Sequence, residues 1–359
     1  MNMHRPFSIF LFAGLALIGA HPLRAQSTAE EWVPDYELIS ATGQMLFDTF
    51  APDSIRQTYT IATPEQLQQY FLQIQNGLVG DDLSALADLQ PLAQETLAVL
   101  SACPQTRPLA DWLSTRLDYF EIAAEAQTVL PAPSRPTTPT KPIMPRPSPT
   151  SPPATTKPAS PAAPQKPNAP ATTPATTKPA PVPALAVARD RYAESTQTWI
   201  RKLQKRPPPA ASAALLPKLK AIFRENKIPE ALVWQAEAES SFNPAARSPV
   251  GARGLFQFMP ATARQYGLRL SPTDERLDPL KSASAAARYL SALHRRFGDW
   301  ALALAAYNCG EGRVSKLLRK HHATTFAEIH SFLPAETRLY VPKINALLHV
   351  REGIDLSGL

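Results

Sequence analysis

A single acid stands before a long stretch of chain that contains no carboxylate. Glu239 ends a segment with helical spacing, and residues 240–273 contain four arginines and no Asp or Glu. Most glycosidases use two carboxyl groups, one that protonates the leaving oxygen and one that attacks or activates water. The next acids along this chain are Asp274, Glu275 and Asp278. The pattern therefore predicts proton-transfer chemistry that depends on one acid.

The helix predicted over 229–240 sets the direction in which Glu239 points. Leu232 belongs to an apolar stripe at helical spacing, and Glu239, seven residues later, lies about 20° from it around the helix. Glu237 points about 160° away, so we expect it to be solvated. An apolar environment disfavours a charged carboxylate, which raises the pKa of Glu239 toward a general acid's value near neutral pH. The helix alone leaves open a frayed, exposed Glu239.

Three motifs in order resemble a known family. They are ESSFNPAARSPVGARGLFQFMPATA at 239–263, AYNCGEG at 306–312 and ETRLYVPK at 336–343. Together they resemble the catalytic domain of the soluble lytic transglycosylase (SLT) family, within the goose-type-lysozyme-like superfamily. The third motif has the form seen in the D-type membrane-bound lytic murein transglycosylases. The resemblance covers about Leu216 to Val350 and implies an all-α, lysozyme-like catalytic domain.

The resemblance also implies a reaction that needs no enzyme nucleophile. Glu239 would protonate the glycosidic oxygen between N-acetylmuramic acid and N-acetylglucosamine. As a carboxylate it would then take the proton of the muramyl C6 hydroxyl, which closes on C1 to leave a 1,6-anhydromuramyl end. Intramolecular attack gains from proximity. We expect no cofactor and no metal ion, because the histidines show no metal-ligand spacing.

Six further residues are implied to bind substrate: Ser248, Gln257, Met259, Tyr307, Asn308 and Tyr340. In the family, the tyrosine of the second motif orients the acid and the asparagine beside it binds sugar. Each residue also has an ordinary interpretation. Ser248 suits a turn, Met259 suits core filling, and Tyr307 suits a half-buried packing position. Cys309 stands where the family usually has Ser or Ala.

Composition and charge divide the chain into four segments. Residues 1–25, with a basic start and an apolar run, are typical of a secretory signal peptide, although a retained anchor is the alternative. Residues 27–130 predict an acidic helical domain, with 15 acids and three arginines. Residues 131–187, rich in Pro, Thr and Ala, predict an extended spacer. Residues 188–359 carry 26 basic and 15 acidic side chains and contain the predicted catalytic domain.

The segments suggest a compartment and partners. A signal peptide without a cysteine at its end predicts an exported, periplasmic or cell-envelope protein that is neither a lipoprotein nor stably anchored in a membrane. A basic domain suits an anionic partner, and export favours peptidoglycan over nucleic acid. The acidic domain could dock over the basic cleft and compete with glycan, or bind another periplasmic protein.

Cys103 and Cys309 are predicted to be separate thiols. The D-type family's carboxyl-terminal LysM repeats are expected to be absent, because the sequence ends at Leu359.

Two other functions remain open from the sequence. A goose-lysozyme-type hydrolase would need Asp274 or Asp278 to fold back near Glu239 and hold a water molecule. A non-catalytic wall-binding scaffold would keep the fold without turnover. The lytic reaction leaves anhydro ends, hydrolysis leaves reducing ends, and a scaffold leaves neither.

Overall fold

The computed structural model describes residues 36–50, 60–101, 106–129 and 183–359. Apart from two isolated bridges, all regular structure in these ranges is helical, which confirms the predicted fold class for this part of the chain. The signal peptide, Cys103 and all but the last residues of the predicted spacer lie outside the described residues. Within those ranges, no helix combines the length and the apolar character that crossing a membrane requires.

The described residues of the amino-terminal unit, 36–129, contain α1 (Tyr36–Phe50), α2 (Pro64–Val79), α3 (Leu83–Asp88), α4 (Gln90–Ser101) and α5 (Arg107–Val129). Local sequence explains where α2 begins. Thr63 and Gln66 form a capping box, and Pro64 occupies the first helical position, where its missing N–H costs nothing. Helix α5 buries Leu113, Tyr119 and Phe120.

The carboxyl-terminal domain, 183–359, contains α6 (Pro183–Leu203), α7 (Ser212–Glu225), α8 (Gln235–Ser240), α9 (Pro260–Gln265), α10 (Pro279–Phe297), α11 (Trp300–Cys309), α12 (Glu311–His321), α13 (Phe326–Ile329) and α14 (Ala335–Glu352). The apolar periodicity, with Gly and Pro at the breaks, predicts helices over 212–226, 260–266, 280–297, 300–307, 311–320, 325–331 and 335–350, and the observed bounds agree with these to within a few residues. The exception is the helix predicted over 229–240, where a 3₁₀ turn, Glu230–Trp234, precedes α8. The domain boundaries stay predictions.

Helices α10, α11 and α14 form the centre of this domain. Asp278 accepts hydrogen bonds from the backbone N–H groups of Leu280 and Lys281 and so starts α10. Alanines dominate the buried face of α10 and recur in α11, which allows the two helix axes to approach closely. Helix α14 is buried along most of its length.

Helix α14 continues through an internal proline because another group takes the carbonyl that the proline leaves free. Pro342 has no N–H to donate to the carbonyl of Arg338, four residues earlier. The Nε2 of His330 lies 3.2 Å from that oxygen. At the next residue, the Trp199 indole donates to the carbonyl of Leu339 at 3.1 Å and ties α6 to α14.

The amino-terminal unit packs directly on the carboxyl-terminal domain. The backbone N–H of Ala335, the first residue of α14, donates to the carbonyl of Gly80 at 2.6 Å. The Arg338 guanidinium donates to the carbonyl of Asp81 at 2.9 Å. The Nζ of Lys343 donates to the carbonyl of Thr115 at 3.1 Å. Three positions along α14 are therefore hydrogen-bonded to residues of the amino-terminal unit.

Charge also joins the two parts of the chain. Asp118 of α5 accepts two hydrogen bonds from Arg206, at 2.5 and 2.9 Å, and lies 3.1 Å from Lys202. Lys202 also contacts Glu121. The acidic helix thus meets cations at and just beyond the end of α6, as expected when an acidic segment packs on a basic one.

Candidate active site

Glu239 lies near the end of α8 with only 8% of its surface exposed. The Tyr340 hydroxyl donates to Glu239 Oε1 at 2.6 Å. Burial raises the pKa of Glu239 to about 7, and it outweighs the Tyr340 hydrogen bond and the charge of Arg116, which both lower that pKa. The predicted direction of Glu239 is confirmed, since its carboxyl faces the body of the domain.

A sharp reversal of the chain follows Glu239. Ser241 and Phe242 both have left-handed backbone angles, with φ of 52° and 59°, and they end the helix. The hydroxyl of Ser240 donates to the carbonyl of Leu255 at 2.9 Å. The reversal therefore folds the following loop back beside the acid.

This loop is closed by short backbone pairings that require a glycine. Bridges join Arg253 to Arg247 and to Phe258, and the N–H of Gly254 donates to the carbonyl of Ala246 at 2.9 Å. Gly254 has φ of +79°, and a Cβ there would lie 1.7 Å from the carbonyl oxygen of Arg276. No other residue fits at this crossing without moving the backbone.

A buried ion cluster holds the far end of the same loop. Asp274 accepts from Arg253 at 2.9 Å and from two nitrogens of Arg276 at 2.9 and 2.8 Å. Arg276 also donates to the carbonyls of Gly251 and Phe258, at 2.8 and 2.9 Å. Burial alone would raise the pKa of Asp274, but the hydrogen bonds and charge of Arg276 outweigh it and lower that pKa. This acid is a structural clamp.

Three of the predicted site residues belong to the loop or its end. Ser248 is buried, and its Oγ accepts from the N–H of Ala252 at 2.9 Å, as a turn residue does. Gln257 is half-buried and donates to the carbonyl of Gly254 at 2.9 Å. Met259 is 40% exposed just before α9. Gln257 and Met259 thus keep surface accessible to a ligand, whereas Ser248 turns into the loop.

The other three lie on α11 and α14. The Tyr307 hydroxyl donates to the carbonyl of Phe256 at 2.9 Å, so it braces the loop. Asn308 Oδ1 accepts from the hydroxyl of Thr337 at 2.6 Å. The hydrogen bond to Glu239 comes from Tyr340 of the third motif, whereas the family resemblance implied an orienting role for Tyr307.

The prediction that Glu237 is solvated is wrong. Arg351, near the end of α14, donates to both carboxylate oxygens of Glu237, at 3.1 and 2.7 Å, and both side chains are mostly buried. The helical count gave the correct face, which points away from Glu239. A distant helix covers that face, and the local pattern around Glu237 carries no signal of it.

The sequence interpretation assigned no role to three charged residues near Glu239. Arg116 of α5 and Glu336 of α14 form an ion pair at 3.3 Å, and the charges of both act on the pKa of Glu239. Lys343, also on α14, is buried against the rings of Tyr119 and Trp199, and burial lowers its pKa to about 8. In the described ranges, no group of three or more His, Cys, Asp or Glu could hold a metal ion.

Comparison with known families bears directly on this geometry. Residues 219–329 match the family model described as the Transglycosylase SLT domain. This part of the chain is an SLT domain. The match confirms the resemblance read from the motifs, and it contains Glu239 and the first two motifs. Tyr340, which holds the acid, lies beyond the matched residues.

Named relatives are similar to part of this chain. The membrane-bound lytic murein transglycosylase D of Escherichia coli strain K12 is 41% identical over 142 residues, which cover 38% of this chain and 31% of that protein. The soluble lytic murein transglycosylase of Salmonella typhimurium is 38% identical over 121 residues, covering 31% of this chain and 18% of that protein. The chain therefore spans less than a third of the length of either relative.

Among solved structures, the 70 kDa soluble lytic transglycosylase of Escherichia coli is 28% identical with a TM-score of 0.36. That similarity covers 45% of this chain and 29% of the other.

Proposed function

We propose that this protein is a peptidoglycan lytic transglycosylase that cleaves the β-1,4 bond between N-acetylmuramic acid and N-acetylglucosamine. Glu239 protonates the bridging oxygen as the bond to the muramyl C1 breaks, and an oxocarbenium-like centre develops at that carbon. The Glu239 carboxylate then removes the proton of the muramyl C6 hydroxyl, whose oxygen bonds to C1. The products are a free N-acetylglucosamine end and a 1,6-anhydro-N-acetylmuramic acid end.

The observation that carries this proposal is that Glu239 is buried, hydrogen-bonded by Tyr340 and has a raised pKa. A pKa of about 7 allows the carboxyl to be protonated for the first step and ionised for the second within the same pH range. The hydrogen bond from Tyr340 fixes the position of the carboxyl through both steps. One buried acid can therefore supply the whole proton cycle.

The acids proposed for a hydrolytic mechanism are engaged elsewhere. Asp274 is enclosed by Arg253 and Arg276, and Asp278 caps the start of α10 with two backbone hydrogen bonds. Neither carboxylate is available to hold a water molecule beside Glu239. Their engagement supports the reaction in which the sugar supplies its own nucleophile.

One observation favours hydrolysis as a second candidate. Glu336 lies near enough to Glu239 for its charge to raise the pKa of the acid, and a second carboxylate could activate water. Glu336 is, however, paired with Arg116. A hydrolase would lose most of its turnover in Glu336→Gln, by about 10²-fold or more. A lytic enzyme would keep its anhydro products at a rate reduced by less than about tenfold.

Product identification tests the proposal. Purified sacculi are digested with the full protein, and the muropeptides are separated and weighed by mass spectrometry. Anhydro ends are expected from the wild type, and Glu239→Gln should lower their rate by about 10²–10⁴-fold. Glu230→Gln is the control, because Glu230 lies at the surface beside Arg224 and should leave the rate unchanged. Reducing ends alone would replace the proposal by hydrolysis, and no turnover would leave a scaffold.

We propose that Gln257, Met259, Tyr307 and Asn308 bind the glycan around Glu239, and their partial exposure supports contact with sugar. Tyr340 is buried and belongs to the proposed substrate-binding site through its hydrogen bond to the acid. Ser248 belongs to the same proposed site through the loop that it closes, since its hydroxyl accepts a backbone hydrogen bond there. Asn308→Ala should therefore raise KM for glycan more than it lowers kcat.

We also propose that the protein works in the periplasm, reached by a signal peptide over residues 1–25. The substrate proposed above lies in the cell envelope, which supports export. Cell fractionation with sequencing of the mature amino terminus tests this, and a start at Gln26 is the expected result.

We further propose that the amino-terminal unit stays docked on the carboxyl-terminal domain as an intramolecular partner. The ion pairs of Asp118 with Lys202 and Arg206 support docking, and salt weakens such pairs. If the docked unit competes with glycan, turnover rises with ionic strength. If the docked unit supports the site, turnover falls as the unit is released.

A further inference from the structure

Arg116 of α5 brings a charge of the amino-terminal unit into the neighbourhood of Glu239. The Nε of Arg116 lies 3.3 Å from Glu336 Oε1, and only 12% and 19% of the two side chains are exposed. The guanidinium lies over the ring of Trp112, 4.9 Å from its centroid, and contacts the hydroxyl of Thr115 at 3.1 Å. Arg116 is thus held from its own helix as well as by Glu336.

The position of Glu336 links this pair to the acid. Glu336 and Tyr340 are four residues apart on α14, so they lie on the same face, one turn from each other. Tyr340 holds Glu239 by its hydroxyl. Helix α5 also packs against α8, which carries Glu239. The ion pair is therefore one helical turn from the hydrogen bond that positions the acid.

We propose that the Arg116–Glu336 ion pair, with one member from each part of the chain, is a positioning element of the Glu239 site. The amino-terminal unit is then a working part of that site. Neither residue touches the reacting atoms in this proposal. Arg116 places a fixed positive charge, and Glu336 a compensating negative one, beside the carboxyl that changes its protonation state.

The charges act in opposite directions. Arg116 favours the ionised form of Glu239 and lowers its pKa, whereas Glu336 disfavours that form and raises its pKa. The titratable groups that act on Glu239 from the neighbouring helices are Arg116 and Tyr119 of α5, Tyr307 of α11, and Glu336, Tyr340 and Lys343 of α14. The three tyrosines have raised pKa values and stay neutral, so the remaining charged side chains set the balance.

Two single substitutions in the full protein should therefore move the titration of Glu239 in opposite directions. The probe is the ¹³C NMR signal of the Glu239 carboxyl, assigned by its loss in Glu239→Gln. Arg116→Gln should raise the midpoint, and Glu336→Gln should lower it, each by about 0.5 unit or more. The double variant should return near the wild-type midpoint, because both charges are then absent.

Arg107→Gln is the matched control. Arg107 lies on the same helix and pairs with Asp111, but both side chains are well exposed, so its loss should leave the midpoint unchanged. Circular dichroism and the melting temperature of each variant report whether the fold is kept. Shifts of both single variants in the same direction, or no shift in folded variants, would overturn the inference.

The inference rests on the proposed function for its meaning, but its test does not need turnover. If the wild type releases anhydro muropeptides, the alkaline limb of its pH–rate profile should follow the two midpoints, up in Arg116→Gln and down in Glu336→Gln. If the enzyme is active but neither variant moves the alkaline limb of its pH–rate profile, the positioning role alone is refuted. A wild type without anhydro products refutes the proposed function, while opposite NMR shifts would still support the charge pair.

Discussion

Glu239 and Asp274 lie at the two ends of the acid-free segment, and their surroundings shift the pKa of the two carboxyl groups in opposite directions. Both side chains are largely buried. Around Glu239 the direct hydrogen-bond partner is a neutral hydroxyl, and burial raises the pKa to about 7. Around Asp274 two guanidinium groups offset the desolvation of the carboxylate, and the pKa of Asp274 falls below its ordinary value. Burial alone therefore does not decide what a carboxyl does.

The difference explains where the arginines of this segment go. The sequence places four arginines between these two acids, within residues 240–273. In the structure Arg253 pairs with Asp274, and Arg269 pairs with Glu275. These two cations stabilise the far end of the loop, where they pair with other carboxylates and do not offset the effect of burial on the pKa of Glu239.

The largest expected effect is a loss of stability when Asp274 no longer pairs with Arg253 and Arg276. Asp274→Asn keeps the shape but leaves the buried Arg276 without its counter-charge, which should destabilise the protein by about 3–5 kcal/mol. Asp274 has a lowered pKa, so its contribution is present above 3.8 and is lost as the pH falls below that value. Urea unfolding at pH 7 measures the loss, and unfolding at pH 3 or below measures its decline toward acid. Asp111→Asn, in an exposed pair with Arg107, should change stability by less than about 1 kcal/mol.

The corresponding substitution at the other end of the segment, Glu239→Gln, should change the stability of the protein in the opposite direction. The folded pKa of Glu239 is about 7 against an ordinary value of 4.5, so the native state loses stability as the pH rises from 4.5 to 7. Glu239→Gln removes that loss and should stabilise the protein by about 3 kcal/mol at pH 8. Thermal unfolding of both proteins at pH 4 and pH 8 tests this. A variant that is less stable than the wild type at pH 8 would contradict the comparison.

How much of this the sequence predicts depends on how local each feature is. The position of Glu239 on an apolar face follows from one helix and its spacing, and the helices on either side were predicted almost to their ends. The pairing of Glu237 with Arg351 joins residues 114 positions apart. The ion pair of Arg116 with Glu336 crosses the Pro-rich segment. No periodicity carries such long-range contacts, because they depend on how finished helices pack.

The family resemblance has a limit of the same kind. It drew attention to both tyrosines, and the structure distinguishes them. The Tyr307 hydroxyl contacts the backbone of the loop at Phe256, and the Tyr340 hydroxyl contacts Glu239. A motif gives residue types at fixed spacings, whereas the partner of a hydroxyl is set within an ångström by packing.

The smallest effect, and the most specific, is expected from removing one of these hydroxyls. Tyr340→Phe takes away a hydrogen bond that lowers the pKa of Glu239, so that pKa should rise above about 7 by up to about one unit. The protonated acid then persists to higher pH, and the alkaline limb of the kcat/KM profile moves upward. Tyr307→Phe is the control, since its hydroxyl serves the loop, and whatever it does to the rate, its limb should stay in place. If the two variants moved the limb equally, the environment of Glu239 would be set by the packing of both rings, and the contrast between a neutral and a charged partner would lose its main support.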